Sequence, residues 1–183
     1  RQATVNAKGK VTGKKAGKAV VTAKVKGKTL KCKVTVTKKQ AAKKNAKTAG
    51  KKNTTSDISL QKKVISIVNK NRKKKGLEAL TMDEKLMKAA QDRAKELTKS
   101  FSHTRPNGTS CFTIFEKYKI TPMASGENIA AGQRSAADVM DSWMNSPGHR
   151  KNILNPDFEY IGVGLARGGS YGIYWAQEFA TFK

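Results

Sequence analysis

The chain has 183 residues, 37% of them hydrophobic, which is enough for one well-packed domain with an appendage and too little for two large domains. Its net charge of +25 is unevenly spread, because residues 1–56 hold 18 basic and no acidic residues, whereas residues 57–183 hold 20 basic and 13 acidic ones. The only cysteines are Cys32 and Cys111, so a disulfide framework of the kind that holds small secreted folds together is excluded.

The Lys-rich first 56 residues contain one Arg and no Phe, Tyr or Trp. Nucleic-acid surfaces combine their cations with stacking aromatics and Arg forks. The composition therefore favours a solvated surface and linker that also tolerates anionic cell-wall polymers or lipid headgroups, over a nucleic-acid site. No run reaches the roughly 18 apolar residues of a membrane span, and no charged-then-apolar export signal opens the chain. The initial Arg in place of Met indicates a fragment or a mature chain.

Residues 1–37 alternate small apolar and polar side chains around several glycines, which predicts strands and turns. Leu30, Cys32, Val34 and Val36 share one face of a predicted strand, so Cys32 is interpreted as a small buried hydrophobe rather than a redox group. The run TVNAKGKVTGKKAGKAVVTAKVKGKTLKCKVTV resembles the latter half of a bacterial immunoglobulin-like domain of the second group. Because the upstream strands of such a sandwich are missing, we expect a partial or rearranged β unit.

Residues 38–56, KKQAAKKNAKTAGKKNTTS, have no large apolar side chain with which to join a core, and they are predicted to be a linker. From Asp57 the apolar period becomes 3.6. Leu60, Val64, Ile67 and Val68 predict a helical core face that ends at Gly76.

Three more helices and a hairpin are predicted downstream. A capping box at Thr81 and Glu84 predicts a helix start, and Phe112–Tyr118 predicts a shorter helix. Ser135 and Asp138 predict a further start. The buried residues expected on the first and last of these helices are Leu86, Ala89, Ala90, Ala94 and Leu97, and then Val139, Met140 and Trp143. Alternation at 161–165 and 173–177 around a Gly pair predicts a β-hairpin. Helices followed by antiparallel strands imply an α+β layered domain.

The two histidines lie 46 positions apart, in SHTRPNG around His103 and SPGHRKN around His149, both of which are typical of loops. A local zinc motif would place its histidines close together on one helix, and that spacing is absent. Taken alone, each histidine is better explained as an ordinary polar loop residue than as a functional group.

Residues 57–183 resemble the CAP superfamily of cysteine-rich secretory proteins, antigen 5 and pathogenesis-related proteins, and in particular its small bacterial members. Six motifs carry the resemblance in order: VNKNRKKKGLEAL, TMDEKLMKAAQDRAKEL, FSHTRPNG, SGENIAAG, DVMDSWMNSPGHRKNIL, and EYIGVGLA with YGIYWAQEF. The resemblance implies a three-layer α-β-α sandwich. It also implies a shared cleft lined by two histidines and two acidic residues.

Carried over by motif, the cleft residues are His103, Glu127 and His149, with Asp138 at the fourth position. The family usually has Glu there, and Asp138 is equally well explained as a helix cap. Asn128, Ser146 and Arg150 are candidates for supporting roles. Trp143 has the spacing of a core residue, and Cys111 stands beside Phe112 and Phe115, which favours burial over a catalytic thiol.

Two imidazoles and two carboxylates permit a divalent cation such as Zn²⁺, acid–base chemistry, or a polar ligand. A metal would be held by His103 and His149 with Glu127. No nucleophile stands out, so the main hypothesis is a secreted or cell-wall-associated bacterial binding module for a lipid, glycan or protein. The alternatives are a metal-assisted extracellular hydrolase that uses the same cleft, and a purely structural wall protein.

Overall fold

The computed structural model describes residues 3–5, 11–13, 15, 17–25, 28–36 and 55–182. The chain divides into two compact units, Arg1–Ala49 and Gly50–Lys183. The predicted linker, apart from its last two residues, lies outside the described residues.

The first unit contains four described strands: β1 (Ala3–Val5), β2 (Val11–Gly13), β3 (Gly17–Val25) and β4 (Lys28–Val36). β1 pairs with β2 and β3 pairs with β4, each time antiparallel and as a separate two-stranded sheet. The strands predicted here are therefore present. An immunoglobulin-like domain needs two packed sheets, and strands that pair only with their sequence neighbours do not support that part of the prediction. Cys32 lies in β4, and the surroundings of its side chain fall outside what the structure describes.

The second unit is a mixed α/β domain, with helices and a four-stranded sheet of order β5-β7-β8-β6. Its helices are α1 (Thr55–Lys73), α2 (Glu84–Leu97), α3 (Ile114–Lys117), α4 (Ala136–Met144) and α5 (Pro147–Ile153), with a 3₁₀ turn at Cys111–Thr113. Its strands are β5 (Thr81–Met82), β6 (Ala124–Ala131), β7 (Tyr160–Gly168) and β8 (Gly172–Thr181).

The sheet buries both of its faces, which side-chain alternation along β8 makes visible. Ile173, Trp175 and Phe179 belong to a core with Val64, Val68 and Trp143, contributed by α1 and α4. The opposite face carries Tyr174, Ala176 and Ala180, which pack with α2 and α3. Helices therefore cover the sheet on both sides. The predicted hairpin is confirmed, since β7 pairs with β8 antiparallel from Tyr160↔Ala180 to Gly168↔Gly172.

Close contact between α2 and β7 depends on two glycines. A Cβ added at Gly164 would stand 1.9 Å from the Ala90 carbonyl oxygen, and one at Gly162 would stand 2.2 Å from that of Leu86. The helix backbone lies directly on the strand backbone here, as glycine alone permits. This backbone contact fixes the distance between α2 and the sheet. The same distance sets the positions of the α2 side chains that face β6 and β8.

Several predicted boundaries need correction. Thr81 lies in β5, paired in parallel with β7, so it does not cap α2; Asp83 does so, by accepting a hydrogen bond from Leu86 N. The segment around His149 is helix rather than loop, because Pro147 takes the first helical position, where its missing N–H costs nothing. By contrast, the start of α4 at Ser135 is confirmed, and Gly76 follows α1 with φ +71. The shorter predicted helix is divided between the 3₁₀ turn and α3.

Candidate functional site

Glu127 stands at the centre of the candidate site, although it lies within a strand. On β6 its neighbours alternate, so that Asn128 faces the α1 and α4 side while Glu127 faces the α2 side with Ile129. Only 5% of Glu127 is exposed. A carboxylate so deeply buried is stable only when its oxygens are paired.

Arg93 supplies that pairing from α2. Its Nε donates to Glu127 Oε2 at 2.7 Å and its Nη2 donates to Oε1 at 3.3 Å, while no part of Arg93 is exposed. The same guanidinium donates to Glu96 Oε2 at 2.7 Å and to the Ser102 carbonyl at 2.9 Å. Burial alone would raise the pKa of Glu127, but the hydrogen bonds from His103 and Arg93 lower it below the ordinary value, so Glu127 is ionised at neutral pH.

His103 lies in the loop after α2 and forms a close hydrogen bond with this carboxylate. Its Nδ1 lies 2.7 Å from Glu127 Oε1, whereas 57% of its side chain is exposed. Since the ionised Glu127 can only accept, Nδ1 carries the proton and donates it. This hydrogen bond orients the ring and directs the other ring nitrogen, Nε2, away from Glu127.

His149 lies in the first turns of α5 and is half-buried. Burial lowers its pKa below the ordinary value, and the charge of His103 lowers it further, so His149 is neutral at neutral pH. Asn128 holds this helix to the sheet, because its Nδ2 donates both to the His149 carbonyl at 3.1 Å and to Gln177 Oε1 at 3.0 Å. Asn152 completes the connection by donating to Asn128 Oδ1 at 2.9 Å.

A cavity of about 310 Å³ opens beside His149. Aromatic rings, small apolar residues and uncharged polar groups line it: Phe101, Ile129, Ala130, Ala131, Gln133, Ser142, Trp143, Ser146, His149 and Tyr171. No Lys, Arg, Asp or Glu side chain stands in this lining among the described residues. The cavity is therefore suited to an uncharged group that brings both apolar surface and hydrogen-bonding capacity.

Cys111 adds a thiol next to the carboxylate. One potential ligand atom from each of His103, Cys111 and Glu127 lies within 4.8 Å of the others, and the described residues contain no other such group of three or more. Burial, together with the negative charge of Glu127, raises the pKa of Cys111 to about 12. The thiol is therefore protonated at neutral pH, and it is not a ready nucleophile.

The other sequence-predicted site residues lie in several places. Asp138 is exposed in the first turn of α4, where its backbone N–H donates to Ser135 Oγ at 3.1 Å, and it is not part of the cavity lining. Ser146 lines the cavity, and its hydroxyl makes no capping bond. Arg150 is exposed and donates to the Met144 carbonyl at 2.9 Å. In the structure, His103 is hydrogen-bonded to Glu127, and the helix that carries His149 is hydrogen-bonded to Asn128. Asp138 lies outside the cavity lining.

Two further residues of the site were not predicted from the sequence. Arg93 falls on the apolar stripe of α2, between Ala90 and Ala94, and a charge on a core stripe is a signal that a buried partner exists. Glu178 is the register partner of Glu127 on β8 and is completely buried. In YWAQEFA it alternates with apolar residues in the same way, so the signal was present in the sequence.

Comparison with known proteins places these features in a family. Residues 65–179 match the model of the cysteine-rich secretory protein family, CAP. The chain is 41% identical over 139 residues to YkwD of Bacillus subtilis, covering 72% of this chain and 53% of that protein. It is 30% identical over 121 residues to the membrane protein YlbC of the same organism, covering 65% of this chain and 34% of that one. The chain thus spans about half or less of these relatives.

Solved structures of an extracellular protein and an outer surface protein have the same fold. An extracellular SCP-domain protein of Bacillus anthracis superposes with a TM-score of 0.64 at 25% identity, covering 73% of this chain and 45% of that one. An outer surface protein of Borrelia burgdorferi gives a TM-score of 0.64 at 26% identity, covering 74% of this chain and all of the other. Within the described residues, no helix is both long and apolar enough to span a membrane. This chain belongs to the cysteine-rich secretory protein (CAP) family.

Proposed function

We propose that this chain is a secreted or cell-surface bacterial protein whose CAP domain is an extracellular binding module, with its ligand held in the cleft beside His103 and His149. The observation that carries the proposal is the 2.7 Å hydrogen bond between His103 Nδ1 and the buried Glu127. It fixes the orientation of the ring and directs Nε2 away from the buried carboxylate.

The electrostatics favour a polar, uncharged ligand. His149 is neutral because burial lowers its pKa, so this ring also offers one donor and one acceptor at neutral pH. Glu127 and Arg93 neutralise each other's charge in a buried salt bridge behind the cleft. What faces the ligand is therefore a set of directional hydrogen-bonding groups, which suits recognition.

Nucleophilic catalysis finds little support in this cleft. Cys111 lies near His103 and Glu127, as a thiol–imidazole pair would require. With a pKa of about 12 its thiolate is scarce at neutral pH. The carboxylate beside it disfavours ionisation further, since both would be negative.

A divalent ion fits the cleft only in part. Both oxygens of Glu127 already accept hydrogen bonds, from Arg93 and from His103, so they are not free to coordinate. A metal would then be held by His103 and His149 alone, whereas catalytic zinc sites use three protein ligands. Two imidazoles fit a weakly held ion and do not fit a hydrolytic centre. Binding is accordingly favoured over metal-assisted hydrolysis.

The setting outside the cell rests on the relatives and on charge. The similar proteins of Bacillus anthracis and Borrelia burgdorferi are extracellular or on the outer surface. Residues 1–56 carry a net charge of +18 without an acidic residue. Such a segment would attract anionic cell-wall polymers in a salt-dependent manner and so keep the cleft near the cell surface.

The experiment compares binding and turnover in one preparation. An array of lipids, glycans and extracellular proteins is probed with the full chain and with a His103→Ala, His149→Ala double variant. We expect at least one class to bind the wild type, to be lost in the double variant, and to remain chemically unchanged. Turnover by the wild type that disappears in the double variant would instead establish the hydrolase, and equal binding by both proteins would place the ligand elsewhere.

A further inference from the structure

Two exposed aromatic rings stand at the mouth of the cavity beside His149. Phe101 is 46% exposed and Tyr171 is 61% exposed, which makes them two of the few large apolar side chains that the described residues leave in solvent. Their ring centroids lie 6.1 Å apart, and both rings line the cavity. Large exposed rings that converge on a cavity are typical of ligand contacts, since burial in a core would otherwise be favourable.

A third ring holds this pair in place. Tyr174 is buried, and its centroid lies 6.2 Å from that of Phe101 and 5.9 Å from that of Tyr171. Its hydroxyl accepts a hydrogen bond from the Tyr171 backbone N–H at 3.2 Å. The two exposed rings are therefore supported from beneath, so a ligand that stacks on them need not order them first.

Uncharged polar side chains line the cavity next to the two exposed rings. Gln133 donates from Nε2 to Ser142 Oγ at 3.2 Å, while its Oε1 is buried and has no hydrogen-bond partner among the described residues. Ser146 and the neutral His149 add a hydroxyl and an imidazole. A ligand rich in hydroxyl groups would supply both the donors and the acceptors that these side chains can use.

The size and charge of the cavity restrict the ligand further. About 310 Å³ is at the lower end of ligand pockets, which accommodates one or two ring-sized groups and not a long acyl chain. A phosphate or carboxylate headgroup would find no cation in the described lining. The larger cavity of about 650 Å³ near Met123 and Phe182 has neither histidine in its lining, and it includes Lys85 and Lys119.

From these observations we infer that the cleft binds an uncharged saccharide, with one pyranose ring packed against Phe101 and Tyr171 and its hydroxyl groups bonded to Gln133, Ser146 and His149. The apolar C–H face of a pyranose covers an aromatic ring, while its rim presents hydroxyls in several directions. This inference rests on the proposed binding function and names the ligand class for it.

The test is calorimetric titration of the full chain with three neutral trisaccharides, namely chitotriose, cellotriose and maltotriose. We expect saturable binding of at least one. Phe101→Ala and Tyr171→Ala should each raise the Kd by about tenfold or more, which corresponds to about 1.4 kcal/mol. Tyr171→Phe, which keeps the ring, should bind like the wild type. The control is Met123→Ala, which removes an equally exposed apolar side chain outside this cavity and should change nothing.

Each contrary result has a distinct meaning. Failure of the wild type to bind any of the three sugars overturns the saccharide assignment. Binding that persists unchanged in both ring variants overturns the location. A parallel titration with vesicles of anionic phospholipid separates the two proposals: vesicle binding lost in His149→Ala, without sugar binding, would retain the binding module and reject the saccharide. Turnover of a trisaccharide would reject the binding module while retaining the ligand class.

Discussion

Glu127 and Glu178 are direct register partners on the adjacent strands β6 and β8, and both carboxyl groups are buried against α2. Two carboxylates so placed cannot both ionise without a large electrostatic cost. Glu127 is stabilised as the anion by His103 and Arg93. Burial and the negative charge of Glu127 then raise the pKa of Glu178 well above its ordinary value, so Glu178 is a neutral acid beside the Glu127 carboxylate.

This pair predicts a pH dependence of stability. Above the ordinary pKa of 4.5 the unfolded chain releases the Glu178 proton while the folded chain retains it, so stability falls as pH rises. Glu178→Gln keeps a donor and has no proton to lose. We expect urea unfolding at about pH 5, 7 and 9 to show that the free energy of unfolding of the variant increases relative to that of the wild type as pH rises.

The control for this prediction is Glu159→Gln, which alters an exposed glutamate and should follow the wild type. Parallel pH profiles for Glu178→Gln and the wild type would contradict the assignment of a retained proton to Glu178.

Arg93 is expected to be essential for stability, because its removal leaves Glu127 buried without a cation. Arg93→Met should lower the free energy of unfolding by about 3–5 kcal/mol. Combining it with Glu127→Gln should cost less than the sum of the two single changes, by about 0.5–3 kcal/mol. Lys95→Met, which breaks an ion pair whose Lys is 60% exposed, should cost about 1 kcal/mol or less. Similar losses for Arg93→Met and Lys95→Met would refute this explanation of the buried pair.

The contact of α2 with β7 is tested by a pair of glycine substitutions. A Cβ at Gly164 would collide with the Ala90 carbonyl, so Gly164→Ala must displace the helix or the strand and should cost about 1–3 kcal/mol or more. Gly148→Ala places the same methyl group where nothing lies within 4 Å, and it should be neutral or slightly stabilising in α5. Thermal melting of both variants provides the comparison; equal melting temperatures would be inconsistent with the close packing.

Much of the fold could be predicted because its helices and strands have a strong periodicity of apolar residues. The stripe of α2 and the alternation in β7 and β8 are dictated by burial on one face of a helix and on alternate sides of a strand. β6 was missed, since its buried segment includes Glu127 and Asn128, which are polar and satisfied only by partners distant in sequence. α5 was missed because Pro147 and Gly148 resemble a loop until Pro is placed at the first helical position.

Site residues could be predicted from the sequence only where they belong to a recognisable motif. His103, Glu127 and His149 were selected from motifs, whereas Arg93 and Glu178 needed the register of β6 with β8 and the height of α2 above them. Asp138 shows the opposite problem. Its spacing suited both a cleft role and a helix start, and the structure places its N–H on Ser135, with the carboxylate outside the cavity lining.

Weak zinc binding is expected if the two imidazoles are the donors. Affinity should fall as the solution becomes acidic, because protons compete with the metal, and burial places the pKa of His149 below the ordinary imidazole value of about 6.5. The double variant His103→Ala, His149→Ala should lose the binding, whereas Cys111→Ser should retain it, because Cys111 is not one of the two imidazole donors. Calorimetric titration measures this. Loss in Cys111→Ser would assign the metal to the cluster of His103, Cys111 and Glu127 instead.

We have proposed that the cleft beside His103 and His149 binds its ligand without transforming it. Mass spectrometry of the ligand recovered after prolonged incubation with the full chain tests this proposal, alongside the binding isotherm for the wild type and His149→Ala. We expect saturable binding by the wild type, weakened in His149→Ala, with the ligand recovered intact from both. Shortened or hydrolysed products formed by the wild type and absent with His149→Ala would contradict it.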